Sequence, residues 1–68
     1  MLDGMKFKSQ SGAHTITFDK DVSKNDRYIV DHFQLYHRQF PVMRKHSWDE
    51  ATCRTVQQLL TESNFEQI

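Results

Sequence analysis

Between Asp26 and Phe40 the chain runs DRYIVDHFQLYHRQF, its densest stretch of apolar and aromatic side chains, and Pro41 closes it. At about 100° per residue, Ile29, Phe33, Tyr36 and Phe40 form one helical stripe with Val30 and His37 on its flank. Tyr28 and Leu35 fall on nearly the opposite side, leaving Arg27, Asp31, Gln34 and Arg38 for water. The spacing predicts a central helix over 26–40 that needs cover on two sides, whereas an ordinary surface helix buries one arc of about 100° or a little more. Such a helix either runs through the middle of the domain or meets another chain. Ser23 or Asn25 is its expected N-cap and Asp26 complements its dipole. Pro41, with no amide donor and a restrictive effect on its predecessor, is its expected stop.

Upstream, Met5–Phe18 reads as a β-hairpin, because apolar residues alternate at Met5/Phe7 and at Ile16/Phe18 around Ser11-Gly12. A two-residue loop there makes paired positions sum to 23, setting Phe7 opposite Ile16 and Met5 opposite Phe18 on one face. Lys6, Lys8, Thr15 and Thr17 then share the other. Residues 1–4 are expected to fray, and Asp19–Asn25 reads as a polar connection anchored by Val22 alone.

Downstream, Ser47-Trp48-Asp49-Glu50 has the form of a capping box and predicts a second helix over 47–62. Its apolar stripe is Trp48, Ala51, Val56, Leu59 and Leu60 with Cys53 at the margin, and Glu50 precedes Arg54 at the spacing of a helical ion pair. Ser63-Asn64 ends it, leaving 63–68 as a short tail. The expected architecture is α+β, a single small domain in the order ββαα, with the hairpin over two antiparallel helices.

Set aside the Met5–Lys8 segment, and one strand (His14–Phe18) followed by the two helices reads strand-helix-helix. In that element order, over His14–Leu60, the chain resembles the ribbon-helix-helix DNA-binding family. The resemblance implies an intertwined dimer whose paired strands read the major groove and whose second helix sets its amino end on phosphate. His14, Thr15 and Thr17 would face outward near the strand, with Arg44, Lys45 and Ser47 at the helix start.

With 68 residues, the chain is one domain and buries only about 60% of its unfolded surface, so oligomerisation is an expected source of stability. One cysteine allows no internal disulfide and fits a reducing compartment. No apolar leader or run of about 20 apolar residues is present, which leads to the expectation of a cytoplasmic protein away from membranes. Formal charge is zero, which is unlike a strongly basic nucleic-acid binder. It is unevenly spread: residues 1–46 carry eight Lys/Arg against five Asp/Glu, and 47–68 carry one against four.

Nothing in the sequence calls for a cofactor, a metal or catalysis. His32 and His37 lie about 140° apart on a helix and cannot share one ion, so they read as half-buried aromatics. Cys53 reads as a small hydrophobe. The chain is therefore expected to be a non-enzymatic regulator, adaptor or inhibitor that binds another protein, of the phage- or plasmid-accessory type, and to form a homodimer. Tyr28, Leu35, Met43 and Trp48 are its expected contacts. The alternative is nucleic-acid binding through an anion-facing set of Arg38, Arg44, Lys45, Lys6 and Lys8.

Overall fold

The computed structural model describes residues 2–36 and 40–68. Its elements are β1 (Lys6–Lys8), β2 (His14–Lys20), β3 (Arg27–Tyr36), β4 (Phe40–Asp49), α1 (Glu50–Glu62) and β5 (Glu66–Gln67). The strands form one antiparallel sheet in the order β4-β3-β2-β1-β5, and α1 packs against one face of it.

This overturns the ββαα reading and, with it, the strand-helix-helix alternative. The described part of the expected central helix is β3 and the start of β4, so there is one helix rather than two among the described residues. The physical reason lies in the same two-sided pattern that singled the segment out. In a strand, successive side chains alternate between faces, and β3 carries apolar residues on both of its faces. Tyr28 and Val30 point into the core and are buried, while Ile29, Phe33 and Leu35 occupy the other face. Their β-branched and aromatic character suits a pleated surface.

Pro41 does not stop a helix; it pairs with Leu35 inside β4. The Leu35 amide donates to the Ala13 carbonyl at 2.9 Å, so Leu35 spends its hydrogen bonds toward β2. The Leu35–Pro41 pair is then of the non-hydrogen-bonded kind, and the proline nitrogen faces the free edge. Nothing in the ladder is lost, which is the setting in which a strand tolerates proline.

The hairpin has the expected register, with Lys6 opposite Thr17, Phe7 opposite Ile16 and Lys8 opposite Thr15. Its turn is longer than two residues. Ser9 donates to His14 and Gly12 donates to Ser9, each at 3.0 Å, with Gly12 at φ +76°, a conformation glycine reaches without a Cβ penalty. Residues 2–4 are anchored rather than frayed. Leu2 is buried, Gly4 donates to the Phe18 carbonyl at 2.8 Å, and the Asp3 carboxylate accepts from the Lys20 amide at 2.9 Å. Val22 anchors nothing and is 97% exposed.

The helix starts two residues later than the capping box implied. Ser47 and Trp48 belong to β4, opposite Ile29 and Tyr28, and the cap is Asp49, whose Oδ1 accepts from the Thr52 amide at 2.8 Å. The Glu50–Arg54 pair forms at 3.3 Å. At the other end Ser63 caps the helix, Asn64 takes φ +66°, and the tail returns as β5 against β1.

The core is Leu2, Phe7, Ile16, Phe18, Tyr28, Val30, Cys53 and Leu60, with Met5, Trp48, Val56 and Phe65 packed at its margin. Phe7 and Phe18 meet edge to face, 6.1 Å between centroids at 88°, an arrangement favoured by ring quadrupoles. Burying Phe18 completely makes its truncation to alanine worth about 3–5 kcal/mol, a large share of what a domain this small holds.

Candidate interaction surface

Register across the sheet sorts every strand residue onto one of two faces. The helix-side face carries His14, Ile16, Phe18 and Lys20 from β2, Tyr28, Val30, His32 and Gln34 from β3, and Val42, Arg44, His46 and Trp48 from β4. The open face carries Lys6 and Lys8, then Thr15, Thr17 and Asp19, then Ile29, Asp31, Phe33 and Leu35, then Met43, Lys45 and Ser47. No helix covers this second face among the described residues.

The open face has an apolar strip along β3 and β4. Phe33 stands opposite Met43 and Leu35 opposite Pro41; Ile29 is 37% exposed, Leu35 38% and Met43 56%. Beside it runs a polar row, Lys6–Thr17–Asp31–Lys45, one residue from each of four strands. Asp31 Oδ1 is buried and has no hydrogen-bond partner among the described residues.

β4 is also the long edge of the sheet. The Leu35 bond to β2 fixes which backbone groups it leaves free. Residues paired with odd-numbered β3 positions turn their N–H and C=O outward, so Met43, Lys45 and Ser47 present both groups to the edge and Pro41 presents its carbonyl. Those same residues place their side chains on the open face.

The expected contact residues are divided by this geometry. Leu35 and Met43 come together on the open face with Lys6, Lys8 and Lys45. Arg44 alternates to the opposite face, so Arg44 and Lys45 form no common patch. Tyr28 is buried beneath α1 and takes Lys20 Nζ over its ring at 5.0 Å. Trp48 is half-buried and stacks on His46, centroids 4.7 Å apart. Arg38 lies outside the described residues. Ile29 and Phe33 also belong to the open strip, which the helical reading did not show; alternation through Ile29, Asp31, Phe33 and Leu35 was the signal for it.

On the helix-side face the histidines converge. His14 Nδ1 and His32 Nε2 share a hydrogen bond of 3.2 Å, and Phe65 lies against His14 at 6.5 Å. Arg44 is directly opposite His32, and His46 is its diagonal neighbour. Burial first, then the nearby His14, His46 and Arg44, push the His32 pKa below the ordinary imidazole value. Among the described residues no three His, Cys, Asp or Glu side chains are placed to hold a metal ion. Cys53, on the core-facing side of α1, is fully buried, and burial, reinforced by Asp49 and Glu50, raises its thiol pKa, the opposite of what a nucleophile needs. No helix among the described residues is long and apolar enough to cross a membrane. No family model matches the sequence, and neither a curated protein nor a solved structure matches the chain.

Proposed function

We propose that this chain is a non-catalytic binding module, a regulator, adaptor or inhibitor, that takes an extended segment of another protein along the free edge of β4. The carrying observation is that edge: a ten-residue strand with no neighbouring strand on its outer side among the described residues. Backbone groups left unpaired along a strand are a template for an added strand, and neighbouring side chains select it. Met43, Leu35 and exposed Phe40 offer apolar contact, and Lys45 favours an acidic segment. A second copy of the chain is the competing occupant, although a two-fold axis at Lys45 would set like charges opposite one another.

Met43→Pro tests this, because it deletes an outward amide and leaves the ladder to β3 intact. Wild type, Met43→Pro and Lys45→Glu are each used to capture proteins from a lysate of the source cell, with folding checked by circular dichroism. The same captured protein is expected to drop at least tenfold with both folded variants. Equal capture by folded Met43→Pro would overturn edge binding, and a concentration-dependent dimer lost in that variant would identify the occupant as a second copy.

A further inference from the structure

The strands segregate their charge by face. Every strand carboxylate of β2, β3 and β4, namely Asp19, Asp31 and Asp49, lies at a register position of the open face, and the helix-side positions hold none. That face instead collects His14, Lys20, His32, Arg44 and His46. Lys20 is at the far end, committed to Tyr28. The other four form a diagonal row across three strands, and Gln34 and Val42 are their neighbours. From α1 the carboxylates are Glu50, paired with Arg54, and exposed Glu62; on β5, Glu66 pairs with Lys8 and so belongs to the open face. The charged groups that bear on His32 are His14, His46 and Arg44. The row has cationic capacity and no facing counter-charge from the strands.

We infer that His14, His32, His46 and Arg44 form a proton-linked site for a phosphate oxyanion. The geometry supplies the donors. The ring centroids of His14 and His32 are 5.5 Å apart and their facing nitrogens 3.2 Å apart, so one imidazole donates to the other and each keeps its second nitrogen for a ligand. A neutral pair holds this bond with one N–H between the two nitrogens. Protonating both rings places two N–H groups head to head, next to the Arg44 guanidinium, and the structure disfavours that state. An oxyanion seated on the row reverses the balance, because it accepts from each imidazolium and from the planar guanidinium fork. Binding therefore draws protons in, and by linkage affinity rises as pH falls through the imidazole range. His46 carries the readout, since its ring stacks on the only tryptophan. The site lies on the face of the sheet opposite the Met43 and Lys45 side chains and uses none of the outward backbone groups of the proposed partner edge, although Arg44 and His46 reach it from the same strand.

Sulfate is the first probe, being a tetrahedral dianion whose charge is constant over the range used. Trp48 fluorescence and imidazole nitrogen shifts are followed at pH 5.5, 6.5 and 7.5, with ionic strength held by chloride. Saturable binding is expected, at least tenfold tighter at pH 5.5 than at 7.5. Arg44→Gln, at an exposed edge position, is expected to weaken it at least fivefold at pH 5.5, and His32→Gln to reduce the pH dependence, while Lys6→Gln on the other face leaves affinity unchanged. A second arm replaces sulfate with inorganic phosphate and with an eight-residue oligothymidylate. Tighter binding of the oligonucleotide with the same residue dependence assigns the phosphate to a nucleic-acid strand, and binding no tighter than inorganic phosphate assigns it to a free phosphate or small ester. Absence of saturation at pH 5.5, affinity independent of pH, or equal loss in Lys6→Gln would overturn the site.

Discussion

Single residues decide where the elements of this chain begin and how they respond to protons. Ser47 and Asp49 both fit the amino end of a helix, and the sequence pattern favours Ser47 because Glu50 follows it at capping-box spacing. Tertiary context chooses Asp49, since β4 extends through Trp48 to cover Tyr28. Local capping chemistry was legible to within one turn, and the strand that displaced it was not. His32 is the residue through which acid reaches the fold. Its folded pKa lies below the ordinary value of about 6.5 because of burial and the adjacent His14, His46 and Arg44. The unfolded chain therefore binds the proton more readily. The stability contributed by neutral His32 is fully present above about pH 6.5 and is lost as pH falls below that value toward the folded pKa. Thermal melts in chloride buffer should show a lower Tm at pH 5.5 than at pH 7.5, and His32→Gln should reduce that difference while keeping a hydrogen-bonding side chain. A Tm unchanged between the two pH values in the wild type would contradict this assignment.

At the scale of elements, the hairpin was readable and the β3–β4 pair was not, for reasons that lie in their faces. β1 and β2 bury one face, so Phe7, Ile16 and Phe18 alternate cleanly with Lys6, Lys8, Thr15 and Thr17, and a one-residue slip would have put all of them on the wrong side. β3 has apolar residues on both faces, which blurs period 2 and lets a 3.6-residue stripe be drawn through Ile29, Phe33 and Phe40. In β4 the helix-side positions are Val42, Arg44, His46 and Trp48, whose alternation is obscured by polar side chains, and Pro41 reads as a break unless the strand is known to be an edge. Of the open strip, Leu35 and Met43 were singled out from the sequence as exposed apolar residues. Their shared face, and the separation of Arg44 from Lys45, required the register. The same alternation makes a direct prediction about β4. Arg44→Pro removes an amide directed at β3 and should cost about 3 kcal/mol, whereas Met43→Pro removes one directed at the free edge and should cost less than about 1 kcal/mol. Urea unfolding of the two variants measures the contrast. Equal losses would mean that the edge assignment derived from the Leu35 bond is wrong.

For the molecule as a whole, the decisive feature is that, among the described residues, a single helix covers a five-stranded sheet on one side only, giving a shortest extent of 16 Å. α1 leaves the sheet at the β4 edge and the chain returns to the opposite edge as β5, paired with β1. The helix thus ties the two margins of the sheet together, and its buried side is narrow, consisting of Cys53 and Leu60 with Val56 beside them. In such an arrangement the helix cannot lift locally without opening the core over Phe18 and Val30. Cys53 reports that event. Its sulfur is inaccessible in the folded chain, and its raised pKa suppresses the thiolate further. Labelling by a thiol reagent at pH 8 should therefore be slowed at least a thousandfold relative to the urea-unfolded chain, in line with a stability of about 5 kcal/mol or more. Low urea should speed labelling with the slope of global unfolding rather than with the shallow slope of a local opening. A cysteine that labels rapidly while the circular dichroism stays native would show that α1 detaches from the sheet as a separate unit, and the two layers would then have to be described as independently stable.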